Sequence, residues 1–84
     1  MRDERPLVEA LITAFLAFEG AGDDEIDPRI AVRTMENMSA DLLNLDMADQ
    51  VHIRAVMTAI SVEAEDGSYS RFVQELPDMI GLAQ

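Results

Sequence analysis

Apolar residues in this chain recur every three or four positions in four separate segments, and no segment alternates strictly between apolar and polar residues. Spacing of three and four places apolar side chains on one face of an α-helix, whereas alternation would indicate a strand. Glycine, aspartate or proline lies at the boundaries of these segments, and these residue types are common where helices begin and end. The sequence therefore predicts an all-α fold, a small bundle of four helices, in a single domain spanning residues 1–84.

The first predicted helix covers about residues 4–18, with Asp3 as its N-cap. Gly20 or Gly22 is expected to end it by adopting the left-handed conformation. One face of this helix is broadly apolar. The opposite face carries small side chains instead of charges: Ala10, Thr13, Ala14 and Ala17. Such a face lets a second helix approach closely, but alanine is also the best helix former, and the sequence leaves both interpretations open.

The second predicted helix begins at Asp27, an N-cap, followed by Pro28 at the first helical position, and it runs to about Leu45. Its main apolar stripe lies opposite a polar face. The residues of the stripe are Ala31, Met35, Met38, Leu42 and Leu45, widened by Val32 and Leu43. This pattern predicts an amphipathic helix with one face in the core.

An acidic loop, Asp23, Asp24 and Glu25, precedes the second helix. The loop does not match an EF-hand calcium loop starting at Asp23, because the residues required at two positions are missing. Pro28 stands where the sixth position needs glycine, and Thr34 where the twelfth needs glutamate. We therefore predict no metal site. Negative charge is favoured near a helix N-terminus, so the three acids are either part of the helix start or a surface for a basic partner.

The third predicted helix runs from Met47, after an Asp46 N-cap, to about residue 64, and it carries two apolar stripes. The stronger stripe consists of Ile53, Val56, Met57, Ile60 and Ala64. The weaker one, nearly opposite, consists of Val51, Ala55, Ala59 and Val62. A helix that is apolar on both sides is usually buried on both sides. With few other helices to cover it, this helix is either central to the bundle or part of a dimer interface, and the sequence does not show which of the two stripes faces the monomer core.

A fourth predicted helix follows Gly67, which is interpreted as the stop of the third helix, with Ser68 or Ser70 as the new cap. Pro77 removes a hydrogen bond from any helix that contains it, so the helix is expected to be kinked or broken there. Gly81 is expected to end the regular structure.

Charge and composition exclude several functions. The net charge is −11, with six arginines and no lysine, which disfavours binding to nucleic acid or to anionic lipid. No run of apolar residues is long enough to span a membrane, and the N-terminal residues lack the features of a signal peptide, so we expect a cytoplasmic protein. The chain has no cysteine, its only histidine is His52, and no serine lies in a nucleophile motif. We therefore predict no enzymatic activity and no cofactor.

In size, acidity and helical content the chain resembles acyl carrier proteins. That family attaches phosphopantetheine to a serine in an Asp-Ser-Leu motif at the start of its second helix. The corresponding stretch here reads IDPRIAV, and no serine occurs between Thr13 and Ser39. The motif that carries the function is absent, so the carrier function is not transferred. The chain is also similar in bulk properties to small acidic helical immunity proteins, which block basic nuclease toxins, and this likeness rests on composition alone.

The leading functional expectation is a non-enzymatic protein-interaction module that forms a homodimer, because a chain this short buries its apolar surface poorly as a monomer. The candidate self-association residues are Val51, Ala55, Ala59 and Val62 on the third helix, and Ala10, Ala14 and Ala17 on the first. The alternative is an inhibitor or regulator that docks an acidic face on a basic protein. Its candidate residues are Asp23, Asp24 and Glu25.

Overall fold

The described residues form four helices, as the spacing of apolar residues predicted. The computed structural model describes residues 4–84, and the predicted cap Asp3 lies outside the described residues. The helices are α1 (Arg5–Gly20), α2 (Pro28–Leu43), α3 (Met47–Glu63) and α4 (Gly67–Ile80). No strand occurs within residues 4–84. The all-α four-helix prediction is therefore confirmed.

The core lies between one face of α1, the face of α3 that carries Met57 and Ile60, and most of the apolar face of α4. α3 packs most extensively against α4, and α1 packs across the other three helices. The buried apolar residues are Val8, Ile12, Phe15, Ala31, Met57, Ile60, Val73, Leu76, Ile80 and Leu82. Only Ala31 comes from α2, whose Met35, Met38 and Leu42 are partly buried against this cluster. α2 is thus the helix least enclosed by its neighbours.

Gln50 joins the α2–α3 turn to the end of the chain. Its side-chain amide donates hydrogen bonds to the carbonyls of Leu43 and Leu45, at 3.1 and 2.9 Å. Its carbonyl oxygen accepts from the backbone N–H of Ala83 at 3.1 Å. These bonds satisfy the polar groups of a buried side chain, which is the condition under which such a group is tolerated. α2 accordingly ends at Leu43, two residues before the predicted Leu45.

The residues at the N-cap positions of the first three helices differ in whether their side chains form a capping hydrogen bond. Asp27 accepts a hydrogen bond from the backbone N–H of Arg29 at 2.9 Å, as expected for the cap of α2. Asp46 occupies the cap position of α3, but its side chain makes no capping hydrogen bond. Glu4 precedes α1, also without a side-chain cap.

The end of α1 differs from the prediction. Among the described residues only Gly81 has a positive φ, at 93°. Neither Gly20 nor Gly22 is left-handed, so that expectation was wrong. α1 instead includes Gly20, and the chain leaves in an extended conformation at Ala21. The loop then closes on the carbonyl of Gly22, which accepts from the N–H groups of Glu25 and Ile26 at 2.9 and 3.1 Å.

The start of α4 also differs from the prediction. Gly67 does not stop a helix but is the first residue of α4, and Asp66 is the cap in place of Ser68 or Ser70. The Asp66 carboxylate accepts from the backbone N–H groups of Ser68 and Tyr69 at 2.9 and 3.0 Å. A carboxylate accepts two orphan N–H groups better than a serine hydroxyl does when the negative charge also meets the helix dipole.

α4 is not broken at Pro77, because the helix contains that residue and continues to Ile80. Leu76 and Ile80 on either side are buried, and their packing holds the turn in place. Gly81 ends the helix, as predicted, and the structure shows it in the left-handed conformation. The N–H groups of Gly81 and Leu82 both donate to the Pro77 carbonyl at 3.0 Å, which returns Leu82 to the core.

The Asp66 cap predicts a specific pH dependence of stability. Hydrogen bonds from Tyr69 and Ser68 lower the pKa of Asp66 below its ordinary value of 3.8. A lowered pKa means that the carboxylate stabilises the fold above the unfolded-state value, and that this contribution is lost as pH falls through the folded-state value. Asp66→Asn retains an acceptor but not the charge. We expect the wild type to exceed this variant in urea midpoint near pH 7, and the difference to shrink below about pH 4. A difference that stays constant across this range would contradict the assignment.

Candidate interaction surfaces

The weaker stripe of α3 lies on the protein surface. Val51, Ala55, Ala59 and Val62 are all exposed, whereas Met57 and Ile60 of the stronger stripe are buried. The structure therefore assigns the stronger stripe to the core, because its larger side chains bury more apolar area there. Val62 is 77% exposed, so no part of the described chain covers it. The four predicted self-association residues of α3 share one uncovered face.

This face is wider than the sequence predicted. The 3.6-residue period places Met47, Ala48 and Thr58 beside the predicted stripe, and all three are exposed. We call the whole set the outer face of α3. It consists of Met47, Ala48, Val51, Ala55, Thr58, Ala59 and Val62. None of these residues is charged, in a chain of which 27% of residues are charged.

Two features suit the outer face to packing against another helix. Along it, residues 48, 51, 55, 58 and 62 are separated alternately by three and four positions, the spacing by which helices interdigitate. The only polar side chain of the face, Thr58, donates its hydroxyl to the Arg54 carbonyl at 3.0 Å. Covering the face would therefore leave no side-chain donor without a partner.

The alanines predicted on α1 lie elsewhere. Ala10 and Ala14 line a groove of about 400 Å³. Its other lining residues are Glu4, Leu7, Val8, Leu11 and Ile53. No residue of the outer face of α3 lines this groove, and Ala17 is exposed outside it. The structure thus does not combine the two predicted sets into one surface.

The acidic loop is exposed as a whole, but its residues differ in what they contact. The Glu25 carboxylate accepts a hydrogen bond from the backbone N–H of Gly22 at 2.9 Å and so closes the loop. Asp23 lines a depression of about 200 Å³ between the ends of α1 and α2. Ile26 and Ala31 line the same depression. They occupy the positions before the N-cap and four after it, which are the two positions that a hydrophobic staple joins.

Another apolar groove, between α1, α2 and α4, was not predicted from the sequence. Its volume is about 360 Å³. It is lined by Phe15 and Glu19 of α1, by Val32, Met35, Glu36, Ser39, Ala40 and Leu43 of α2, and by Leu76, Met79 and Ile80 of α4. We call it the α1–α2–α4 groove. The signal in the sequence was that Val32 and Leu43 widen the stripe of α2 beyond the side that packs into the core.

Several charged side chains join segments that are distant in the sequence. The Arg54 guanidinium donates to the carbonyls of Ala83 and Leu82 at 3.0 and 2.6 Å, and it pairs with Asp78 at 3.0 Å. His52 contacts Glu4 at 3.3 Å.

Arg5 joins the start of α1 to the end of α3 through an ion pair with Glu63 at 2.8 Å. This contact lowers the pKa of Glu63 and raises that of Arg5. Both side chains remain partly exposed to solvent, so the pair positions the helices more than it stabilises them.

The described part of the chain has neither grouped metal-binding side chains nor unsatisfied buried side-chain atoms. Within residues 4–84, no three His, Cys, Asp or Glu side chains are placed to hold a metal ion, and no buried side-chain nitrogen or oxygen lacks a hydrogen-bond partner. No helix of this part is both long and apolar enough to cross a membrane.

Comparison with protein-family models, with curated proteins and with solved structures finds no match.

Proposed function

We propose that the protein is a non-enzymatic helical interaction module that forms a homodimer through the outer face of α3. The observation that carries the proposal is an exposed face, free of charge along the whole helix, on a protein with a net charge of −11. Met47 and Val62, near its two ends, are 71% and 77% exposed. Continuous apolar surface of this kind is uncommon on a monomer and marks an interaction site.

A second copy of the chain fits this face for three reasons. The alternating spacing of three and four lets two identical faces interdigitate, with Val51 and Val62 projecting and the alanines leaving room for them. A two-fold interface brings the same patch from both protomers together, so a self-complementary patch is what it requires. A partner selected by charge finds nothing to pair with on an uncharged face.

The size of the face sets the expected affinity. α3 has 17 residues and spans about 25 Å. A contact made by one helix from each protomer buries less than the roughly 1,200–2,000 Å² of a standard stable interface. The dimer is therefore expected to be reversible, with a dissociation constant in the upper micromolar range. A cytoplasmic location is part of the proposal, since a chain without cysteine needs no oxidising compartment.

Sedimentation equilibrium from low micromolar to several hundred micromolar protein tests the proposal. The average mass is expected to rise from the 9.3 kDa of the monomer toward twice that value. Each protomer carries a charge of −11, so the two repel each other. Screening is expected to tighten the dimer when NaCl is raised from about 20 to about 300 mM.

A monomer at every concentration and at both salt levels would overturn the proposal. A covalently attached group in the intact mass of the natively expressed protein would point to the carrier class instead.

A further inference from the structure

The α1–α2–α4 groove is a second apolar surface, separate from the outer face of α3, and no residue belongs to both. Val32 and Met79 on its two walls are 51% and 53% exposed. Phe15 and Leu76 at its base belong to the buried core. An apolar trough between helices accommodates an amphipathic helix that inserts side chains spaced at i, i+3, i+4 and i+7. Met35 and Met79 add side chains that adapt to the shape of what they contact.

The polar residues of the groove indicate the charge of its occupant. Glu19 and Glu36 line it, and neither carboxylate makes a hydrogen bond or ion pair with any residue of the described chain. The groove shares Glu19, Val32 and Met35 with the depression that reaches Asp23 in the acidic loop. Acidic side chains therefore continue from the groove toward one end of α2.

Two arginines lie near the α1–α2–α4 groove, but they do not outweigh the negative charge of its acidic side chains. Arg29 and Arg33 flank Val32 on the outer side of α2, and Arg29 is paired with Asp27 at 3.4 Å. The chain as a whole remains at −11, which attracts cationic partners and repels anionic ones. A second copy would bring the same unpaired carboxylates against this groove, so a second copy is the wrong occupant.

We propose that the α1–α2–α4 groove binds an amphipathic helix of a partner protein, whose apolar side chains enter the groove while lysine or arginine at its flanks faces Glu19, Glu36 and Asp23. This proposal is independent of dimerisation through α3. The chain would then hold two partners on different surfaces, a copy of itself and a basic helix.

A model peptide tests the proposal with the full chain. The probe is a fluorescent amphipathic peptide of about 18 residues, roughly 27 Å of helix. It contains leucine at helical spacing and lysine elsewhere, and the comparison peptide has glutamate in place of lysine. The lysine peptide is expected to bind, and to bind about tenfold or more weakly when NaCl is raised from about 20 to about 300 mM. Equal binding of the glutamate peptide would overturn the charge assignment.

Two matched variants place the binding site. Val32→Arg puts a cation and a long side chain into the groove. Ile30→Arg makes the same change of charge on the same helix, at a residue that is 54% exposed and lies outside the groove. Affinity for the lysine peptide is expected to fall about tenfold or more in V32R and to change less than about threefold in I30R. Equal losses in the two variants, or no loss in either, would overturn the groove assignment.

Dimerisation measured on the same variants separates this proposal from the preceding one. V32R is expected to sediment as the wild type does. If V32R abolishes the dimer instead, the groove is the self-association surface and the present proposal fails. Circular dichroism confirms that both variants fold.

Discussion

Met57→Ala is expected to lower the free energy of unfolding by about 2–5 kcal/mol, whereas Met47→Ala is expected to change it by no more than about 0.5 kcal/mol. Both methionines lie on α3, and the substitution is the same. Met57 is 0% exposed within the core, while Met47 is 71% exposed on the outer face. Truncating the first removes buried apolar surface and leaves a cavity, and truncating the second does neither.

The loss expected for M57A is large relative to the total free energy of unfolding. A chain of 84 residues has an unfolding free energy of roughly 4–13 kcal/mol. Urea denaturation at low micromolar protein, where the monomer predominates, measures both variants against the wild type. M57A is expected to unfold at a much lower urea concentration with an unchanged slope. Similar midpoints for the two variants would contradict the placement of the stronger stripe of α3 in the core.

The sequence showed both apolar stripes of α3 but not which of them faces the core. Periodicity tells which residues share a face and not what covers that face. The choice depends on α4, whose Val73, Leu76 and Ile80 are buried in the same core as Met57 and Ile60. The same limit explains why the α1–α2–α4 groove was missed. Val32 and Leu43 were correctly placed on α2, but their exposure depends on how closely two other helices approach.

Local signals predicted the start of α2 but failed at the start of α4, where several residue types compete. Asp27 with Pro28 has a single interpretation and was right. In the stretch from Asp66 to Ser68, aspartate, glycine and serine each have a role at helix ends, and the prediction assigned the stop to Gly67 and the cap to a serine. Asp66 capped α4 instead, which a preference for charged acceptors at helix N-termini would have indicated.

Ala55→Glu is expected to weaken the homodimer by about a hundredfold or more, without unfolding the monomer. Ala55 is the central residue of α3 (Met47–Glu63) and lies in the middle of the outer face. In a symmetric dimer whose contact is centred there, the two copies of this residue lie close together. Two glutamates would then be buried beside each other, and each would lose water without gaining a partner. In the monomer the position is exposed, so stability is expected to change little.

Ala17→Glu provides the matched control. Ala17 is also an exposed alanine within a helix, and the substitution makes the same change in net charge. It was predicted from the sequence as a self-association residue, but it lies away from the outer face of α3. A17E is therefore expected to dimerise with nearly wild-type affinity, apart from a small increase in repulsion. Loss of the dimer in A17E would transfer the interface to α1.

The central claim is that the outer face of α3 joins two copies of the chain, and the average mass of wild type, A55E and A17E in solution tests it most directly. Sedimentation equilibrium on the three proteins, at several hundred micromolar and at about 300 mM NaCl, gives the three masses under conditions that favour association. The claim predicts masses well above 9.3 kDa for wild type and A17E, and a mass of 9.3 kDa for A55E. Equal masses for all three proteins, whether monomeric or dimeric, would contradict it.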